Sequence, residues 1–344
     1  MITMRKILFI CSTPYQLLAL LKIKKIYFDK SCVDILLTDA VKQFENWINM
    51  ERLSYFFNNV FRCRIYEYAK ETISHFDVNK KYDELTKYVI DELSYLDNDY
   101  TDVFIANTHS WIIEWSKTYK KCIAGKEVEF HCFDDGIYSY INFDYDYALA
   151  ELGIEDVYLY EKELLCVNCD IPVFPISLNS QCKIDDIESV FVNGKLELDV
   201  YNYVLLEHHF SDKKFYALQD EFFKIFYEKN PEGTILKPHH RRRKRTETDI
   251  SIMESMIPFE VLLQKSNKSL ILVTVFSTAV LFAPYISKKP LKIVLLYRIF
   301  KSYFPDEEYA QMDRFVKKLK TMFADNHQFI IPETGDELQE FLNV

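Results

Sequence analysis

Short apolar runs, each too brief for a helix, recur along this chain, and longer stretches of apolar and charged residues at helical spacing separate them. Lys6–Cys11, Val33–Leu37, Val103–Ala106 and Val128–Phe133 are such runs, rich in β-branched and aromatic residues, while Lys80–Leu96 carries the helical period. Strands that alternate with helices predict a parallel sheet, because parallel neighbours need crossover connections and both faces of the sheet must then be covered. The pattern restarts with Tyr203–Leu206, Thr234–Leu236, Leu270–Phe276 and Leu291–Leu296, with a helix over Asp212–Tyr227 among them. We therefore expect two α/β domains, 1–190 and 191–344, a division that suits 344 residues. The segment Asp170–Gly194, with two prolines and no sustained period, is the expected connector.

Two longer apolar stretches test the alternative of a membrane protein. Ile7–Leu21 follows Arg5 and Lys6 as a signal peptide would, yet Pro14, Tyr15 and Gln16 interrupt it and lysines follow it, so it reads as a buried first strand and helix. Ser269–Ser287 is free of charge but holds Thr274, Ser277, Thr278 and Pro284, which predicts strand, turn and helix. A formal net charge of −10 opposes broad binding to nucleic acid, whatever the local run Arg241, Arg242, Arg243, Lys244, Arg245 does. Eight scattered cysteines follow no disulfide framework, and the Cys166/Cys169 pair lacks the second pair that a structural zinc needs; reduced thiols in a cytoplasm are expected.

In open parallel sheets ligands collect beyond the carboxyl ends of the strands, so the residues just after each run carry the functional reading. Only six glycines occur and no glycine-rich phosphate loop is among them, which leaves side chains and helix N-termini to hold any phosphate. Asp134, Asp135 and Gly136 follow Val128–Phe133: adjacent carboxylates disfavour joint ionisation and so prepare a general base, while the same triplet also suits an acidic turn or a magnesium site. Lys237, Pro238, His239, His240 and Arg241 follow Thr234–Leu236, where a histidine can serve a leaving phosphate and where a basic surface loop is the plainer alternative. Ser277 and Thr278 open a helix after the next strand and offer a phosphate site or simple capping; Glu260 enters an apolar helix as a ribose contact or a first-turn acid. Ser12, Thr13 and Gln16, with Asn107 after Ala106, complete the polar strand ends as sugar contacts, with capping by Ser12 or Thr13 as the alternative.

In their order along the chain, Asp134-Asp135-Gly136, His239-His240 and Ser277-Thr278 resemble the acidic-acidic-Gly, His-Pro and Ser-Ser or Ser-Thr motifs of bacterial GT-B sialyltransferases, most closely glycosyltransferase family 52. Cys11-Ser12-Thr13-Pro14-Tyr15-Gln16 and Ile257-Pro258-Phe259-Glu260-Val261-Leu262 are similar to that group too, and His240 stands where the motif has proline. The resemblance implies an α/β GT-B fold of two Rossmann-like domains whose parallel sheets face a cleft, the first on the acceptor side and the second binding CMP. It implies inverting transfer of sialic acid from CMP-sialic acid to a galactoside of a capsule or lipooligosaccharide, without a cofactor or metal. Asp134 or Asp135 is then the base, with Asp212 a rival, and His239 is the acid. Ser277 and Thr278 hold the phosphate, Glu260 the ribose, and Lys237 and Arg241 join the nucleotide side. The expected partners are a nucleotide-sugar donor and a glycan acceptor; a homodimer is compatible. The expected location is the cytoplasm, with peripheral contact at the inner membrane face aided by Lys22, Lys24 and Lys25. A hexosyltransferase using a UDP-sugar, and a non-catalytic nucleotide- or glycan-binding protein, are the alternatives.

Overall fold

The computed structural model describes residues 5–41, 44–64, 87, 90, 91, 93–96, 99–106, 116, 119, 120, 127–176, 184–191, 197–239, 249–255 and 257–343. Among the described residues, thirteen strands form two fully parallel sheets. The first holds β1 (Lys6–Cys11), β2 (Cys32–Thr38), β3 (Val60–Cys63), β4 (Asp102–Ile105), β5 (Glu129–Phe133), β6 (Ile154–Leu159) and β7 (Val173–Pro175) in the order β3-β2-β1-β4-β5-β6-β7. The second holds β8 (Tyr203–Leu206), β9 (Thr234–Lys237), β10 (Ser251–Ile252), β11 (Ile271–Thr274), β12 (Lys292–Leu295) and β13 (Gln328–Ile330) in the order β10-β9-β8-β11-β12-β13. The direction of winding reverses between β1 and β4 in one sheet and between β8 and β11 in the other. Each sheet thus has the doubly wound topology, with a ligand-binding switch point at those carboxyl ends.

The central strands are apolar on both faces because helices must cover both: Ile7–Cys11 is buried throughout, as are Val204–Leu206 and Leu272–Thr274. In the first unit Phe9 gathers Phe28, Phe57 and Phe104 at ring separations of 6.4, 6.1 and 4.9 Å. In the second, Phe215 sits among Phe210, Phe300, Tyr303 and Phe304, at 4.8, 4.9, 5.3 and 6.3 Å. Contacts divide the chain into a unit of residues 1–139 and 143–192 and a unit of 193–344 with 140–142.

The expected connector Asp170–Gly194 requires correction: it contributes β7 to the edge of the first sheet and a helix, Ile184–Glu188. Pro175 ends an edge strand, where a missing N–H costs nothing, so proline there gave no strand signal. The stretch Ser269–Ser287 forms β11, a turn and two short helices, Thr278–Leu281 and Ala283–Ile286. Among the described residues, no helix is long and apolar enough to cross a membrane. The expected helix over Lys80–Leu96 lies largely outside the described residues.

Candidate active site

In the first unit, β1 runs into Ser12 and Thr13 and then the helix Pro14–Tyr27. Thr13 is extended (φ −142°, ψ 159°) and its Oγ1 accepts the Gln16 N–H, while Pro14 occupies the position whose N–H would have no partner. The Ser12 N–H donates to Oε1 of Gln16 (2.6 Å), which fixes that amide: Nε2 must face the other way, and there it donates to Oδ1 of Asp135 (2.6 Å). The Ser12 hydroxyl accepts from Thr38 (2.8 Å). Ser12, Thr13 and Gln16, expected as sugar contacts, are linked by these bonds to one another and, through Gln16, to Asp135.

The two carboxylates after β5 differ. Asp134 is fully buried; its Oδ1 accepts from the Gly136 N–H (2.7 Å) and the Tyr15 hydroxyl (2.9 Å), and its Oδ2 from the Tyr160 N–H (3.3 Å). Gly136, at φ 96°, supplies the left-handed backbone that closes this turn. A carboxylate ringed by such donors is built to shape the loop rather than to take a metal. Asp135 is half-buried, its N–H donates to the Ser139 hydroxyl (2.9 Å), and its side chain is aimed by Gln16.

In the second unit the loops after β8 and β11 flank the switch point and are tied together there. Nδ1–H of His208 donates to the Phe276 carbonyl (3.0 Å) and the His208 N–H to Oε1 of Gln219 (2.9 Å). Desolvation by burial, with a small contribution from His209, pushes the His208 pKa down to about 4 against the opposing bond to Phe276, so this ring is neutral at pH 7. Glu207, 2% exposed, accepts the backbone N–H of His239 at Oε2 (2.9 Å) and so carries the loop after β9. Ser277 precedes the helix Thr278–Leu281 without its hydroxyl capping it; the backbone carbonyl of Ser277 accepts from Val280 and Leu281 instead. Nζ of Lys237 reaches the Ser255 carbonyl (3.5 Å); desolvation lowers its pKa and the charge of Glu260, 5% exposed, raises it. The half-buried Lys237 therefore feels the charge of the buried Glu260. Asp212 caps the helix Lys213–Lys229 by accepting the Lys214 N–H (2.6 Å) and is exposed. Asn107, His240 and Arg241 lie outside the described residues.

Glu207, His208 and His209 are the polar residues at these strand ends that motif reading passed over. Their signal was position alone, a Glu-His-His run directly after β8.

Among the described residues, Asp102, Glu129 and His131 bring possible metal-ligating atoms within 4.8 Å of one another near the amino ends of β4 and β5. That cluster already holds its cations: Arg5 lies 3.4 Å from Asp102 and 3.5 Å from Glu129, and His131 bonds Asp102 (3.2 Å) and Asp156 (2.7 Å). A cavity of about 600 Å³ lies at the amino ends of β11–β13 beside Lys292 and His327, at the end of the sheet away from Ser277. Cys166 and Cys169 are thiols that donate to the Leu164 and Ile171 carbonyls (3.3 and 3.8 Å). Of the lysines expected at a membrane surface, Lys22 is 3% exposed, Lys25 pairs with Asp29 (3.0 Å) and Lys24 donates to the Phe28 and Asp29 carbonyls (3.5 and 3.3 Å). Helix packing took Lys22 inward, so it presents no charge to a surface.

No protein-family model matches the sequence, and no curated protein matches it by sequence. Solved structures do resemble it. The glycotransferase of kitacinnamycin superposes with a TM-score of 0.50 at 9% identity, over 98% of this chain and 90% of that one. S. aureus MnaA in its structure with UDP gives 0.49 at 12% identity, over 99% and 97%, and MurG of Acinetobacter baumannii gives 0.46 at 11%, over 98% and 90%. The first likeness, with the two doubly wound parallel sheets, shows a GT-B α/β fold.

Proposed function

We propose that this chain is an inverting, metal-independent glycosyltransferase that moves sialic acid from CMP-sialic acid to a galactoside-type acceptor of a bacterial surface glycan. The carrying observation is that each sheet presents one half-buried acid–base residue at its carboxyl end, bonded to a buried partner: the Asp135 carboxylate to Gln16, and the His239 backbone N–H to Glu207. The fold likeness to a glycotransferase supports a transfer reaction, and the motif order supports CMP-sialic acid as donor.

Asp135 is the base. Its carboxylate takes the proton of the acceptor hydroxyl as that oxygen attacks the anomeric carbon from the face opposite CMP. The bond from the anomeric carbon to the phosphate oxygen breaks, and CMP leaves with both bonding electrons. His239 donates to the departing phosphate, and the hydroxyls of Ser277 and Thr278 bind it at the end of β11. Glu260 takes the ribose hydroxyls. Asp134 holds the turn that carries Asp135. An oxocarbenium-like centre needs little covalent help, so positioning and charge stabilisation dominate, with each acid–base partner worth roughly 10²–10⁴ in rate.

Two experiments test this. His239→Ala should cut turnover at least ~10²-fold with the fold intact, and near-normal turnover would remove its role. In a thermal-shift panel of CMP, UDP, UMP and GDP, CMP alone should stabilise the protein, by ~2.7 kcal/mol at 100 times its dissociation constant. Selective stabilisation by UDP would transfer the reading to a hexosyl donor.

A further inference from the structure

Beside the histidine that this reading uses stands one that it does not. The ring of His209 lies nearly parallel to that of His239, with centroids 5.1 Å and planes 14° apart. Nδ1 of His209 is 2.5 Å from the hydroxyl oxygen of Tyr216, and that same oxygen accepts the backbone N–H of Phe210 (3.3 Å). One phenol therefore fixes both the ring of His209 and the backbone that follows it. Tyr216 is itself held, since it lies in the first turn of the helix Lys213–Lys229, whose start is capped by Asp212. The chain of contacts thus runs from a helix through Tyr216 and His209 to one face of His239, while Glu207 holds the His239 backbone N–H.

A histidine two residues past a strand has two side-chain torsions to settle, and a general acid works only when its nitrogen comes within hydrogen-bond reach of the leaving oxygen. The bond from Glu207 fixes the backbone of His239 but leaves those torsions open. The flat face of His209 restricts them. We propose that Tyr216 and His209 form a positioning pair that sets the rotamer of the His239 imidazole. The proposal rests on the reading of His239 as the group that serves the leaving phosphate.

The test uses the full chain with Tyr216→Phe, His209→Ala and His209→Phe. A misplacement of about 1 Å can cost on the order of 10²-fold in rate. His209→Ala should accordingly lower kcat by ~10²-fold and Tyr216→Phe by ~10-fold, each with the donor KM within about twofold of wild type. His209→Phe keeps a flat ring against His239 and should recover part of the loss seen in His209→Ala. A purely structural role would lower the melting temperature and move KM without this ranking.

A second readout needs no turnover. In protein labelled with ¹³C,¹⁵N-histidine, the His239 ring should give one set of resonances in wild type and shifted, rotamer-averaged resonances in Tyr216→Phe. Wild-type kcat in both Tyr216→Phe and His209→Ala, or His239 resonances unchanged by Tyr216→Phe, overturns the proposal. If Tyr216→Phe melts below the assay temperature, His209→Ala and His209→Phe decide by the same readouts. Wild-type turnover in His239→Ala would instead remove the transferase role of that residue, and the resonances would still decide whether the pair fixes its ring.

Discussion

Raising the pH from 7 to 10 should destabilise the first unit through a single histidine. His131 on β5 is 2% exposed, lies stacked on Phe104 at 4.5 Å, and bonds Asp156 through Nδ1 (2.7 Å) and Asp102 through Nε2 (3.2 Å). Burial pulls its pKa down, but the two carboxylates outweigh burial and hold it up at about 9, against 6.5 for an ordinary histidine. A group whose pKa is raised on folding contributes its full stabilisation below the unfolded pKa and loses it as pH climbs through the folded one. Here the full contribution is about 3 kcal/mol below pH 6.5; more than about 2 kcal/mol remains at pH 7 and almost none at pH 10. Urea-unfolding midpoints of wild type and Asp156→Asn, measured at pH 7, 8, 9 and 10, isolate the effect: the advantage of wild type should be large at pH 7 and vanish by pH 10. A ¹³C-histidine titration should place His131 near 9. A midpoint difference that stays constant from pH 7 to 10, or a titration near 6.5, would refute the reasoning. Asp102 runs with the opposite sign: despite burial, its bonds to His131 and Thr101 and the charge of Arg5 lower its pKa, so its stabilisation fades only as pH falls through the carboxylate range.

Three further outcomes follow from the two sites. Asp134→Asn faces Tyr15, Gly136 and Tyr160 donors with an amide N–H₂ and should lose at least ~1–3 kcal/mol in chemical denaturation, whereas Asp135→Asn should fold normally and lose ~10²–10⁴ in turnover. Equal stability of the two variants would contradict the division of labour. Gln16→Leu removes the bonds to the Ser12 N–H and the Asp135 carboxylate, and should lower kcat with little change in donor KM; a selective rise in donor KM would place Gln16 on the nucleotide instead. Ser277→Ala, which removes no capping bond, should leave stability within about 0.5 kcal/mol and raise the donor KM; a clear fall in melting temperature would assign the hydroxyl to the fold.

Much of the fold was legible because a strand buried on both faces has an unmistakable composition. KILFIC, YVLL and ILVT carry almost nothing polar, and parallel pairing follows from the helical stretches between them. The edge strands were not legible for the same reason in reverse. VFP and SI are short and mostly exposed; the first lies between Pro172 and Ile176 and contains Pro175, the second is two residues long, so neither periodicity nor apolar length marks a strand. The structure places Asp135 just after β5 and His239 just after β9, the strand ends read from the sequence. What holds each of them is a long-range fact: Gln16 is 119 residues from Asp135, and Glu207 is 32 from His239. The capping of Thr13 and of Asp212 is local and could be read from the sequence; the burial of Lys22 depends on what packs over one face of its helix and could not.

The most direct measurement is a product analysis. Full-length protein is incubated with CMP-sialic acid and a panel of galactosides, with and without exhaustive chelation, and the products are read by mass spectrometry and NMR. The account predicts one CMP released per sialoside formed, inversion at the anomeric carbon, and the same rate after chelation. Transfer only from a UDP-sugar, retention of configuration, or activity that chelation abolishes and added metal restores would contradict it.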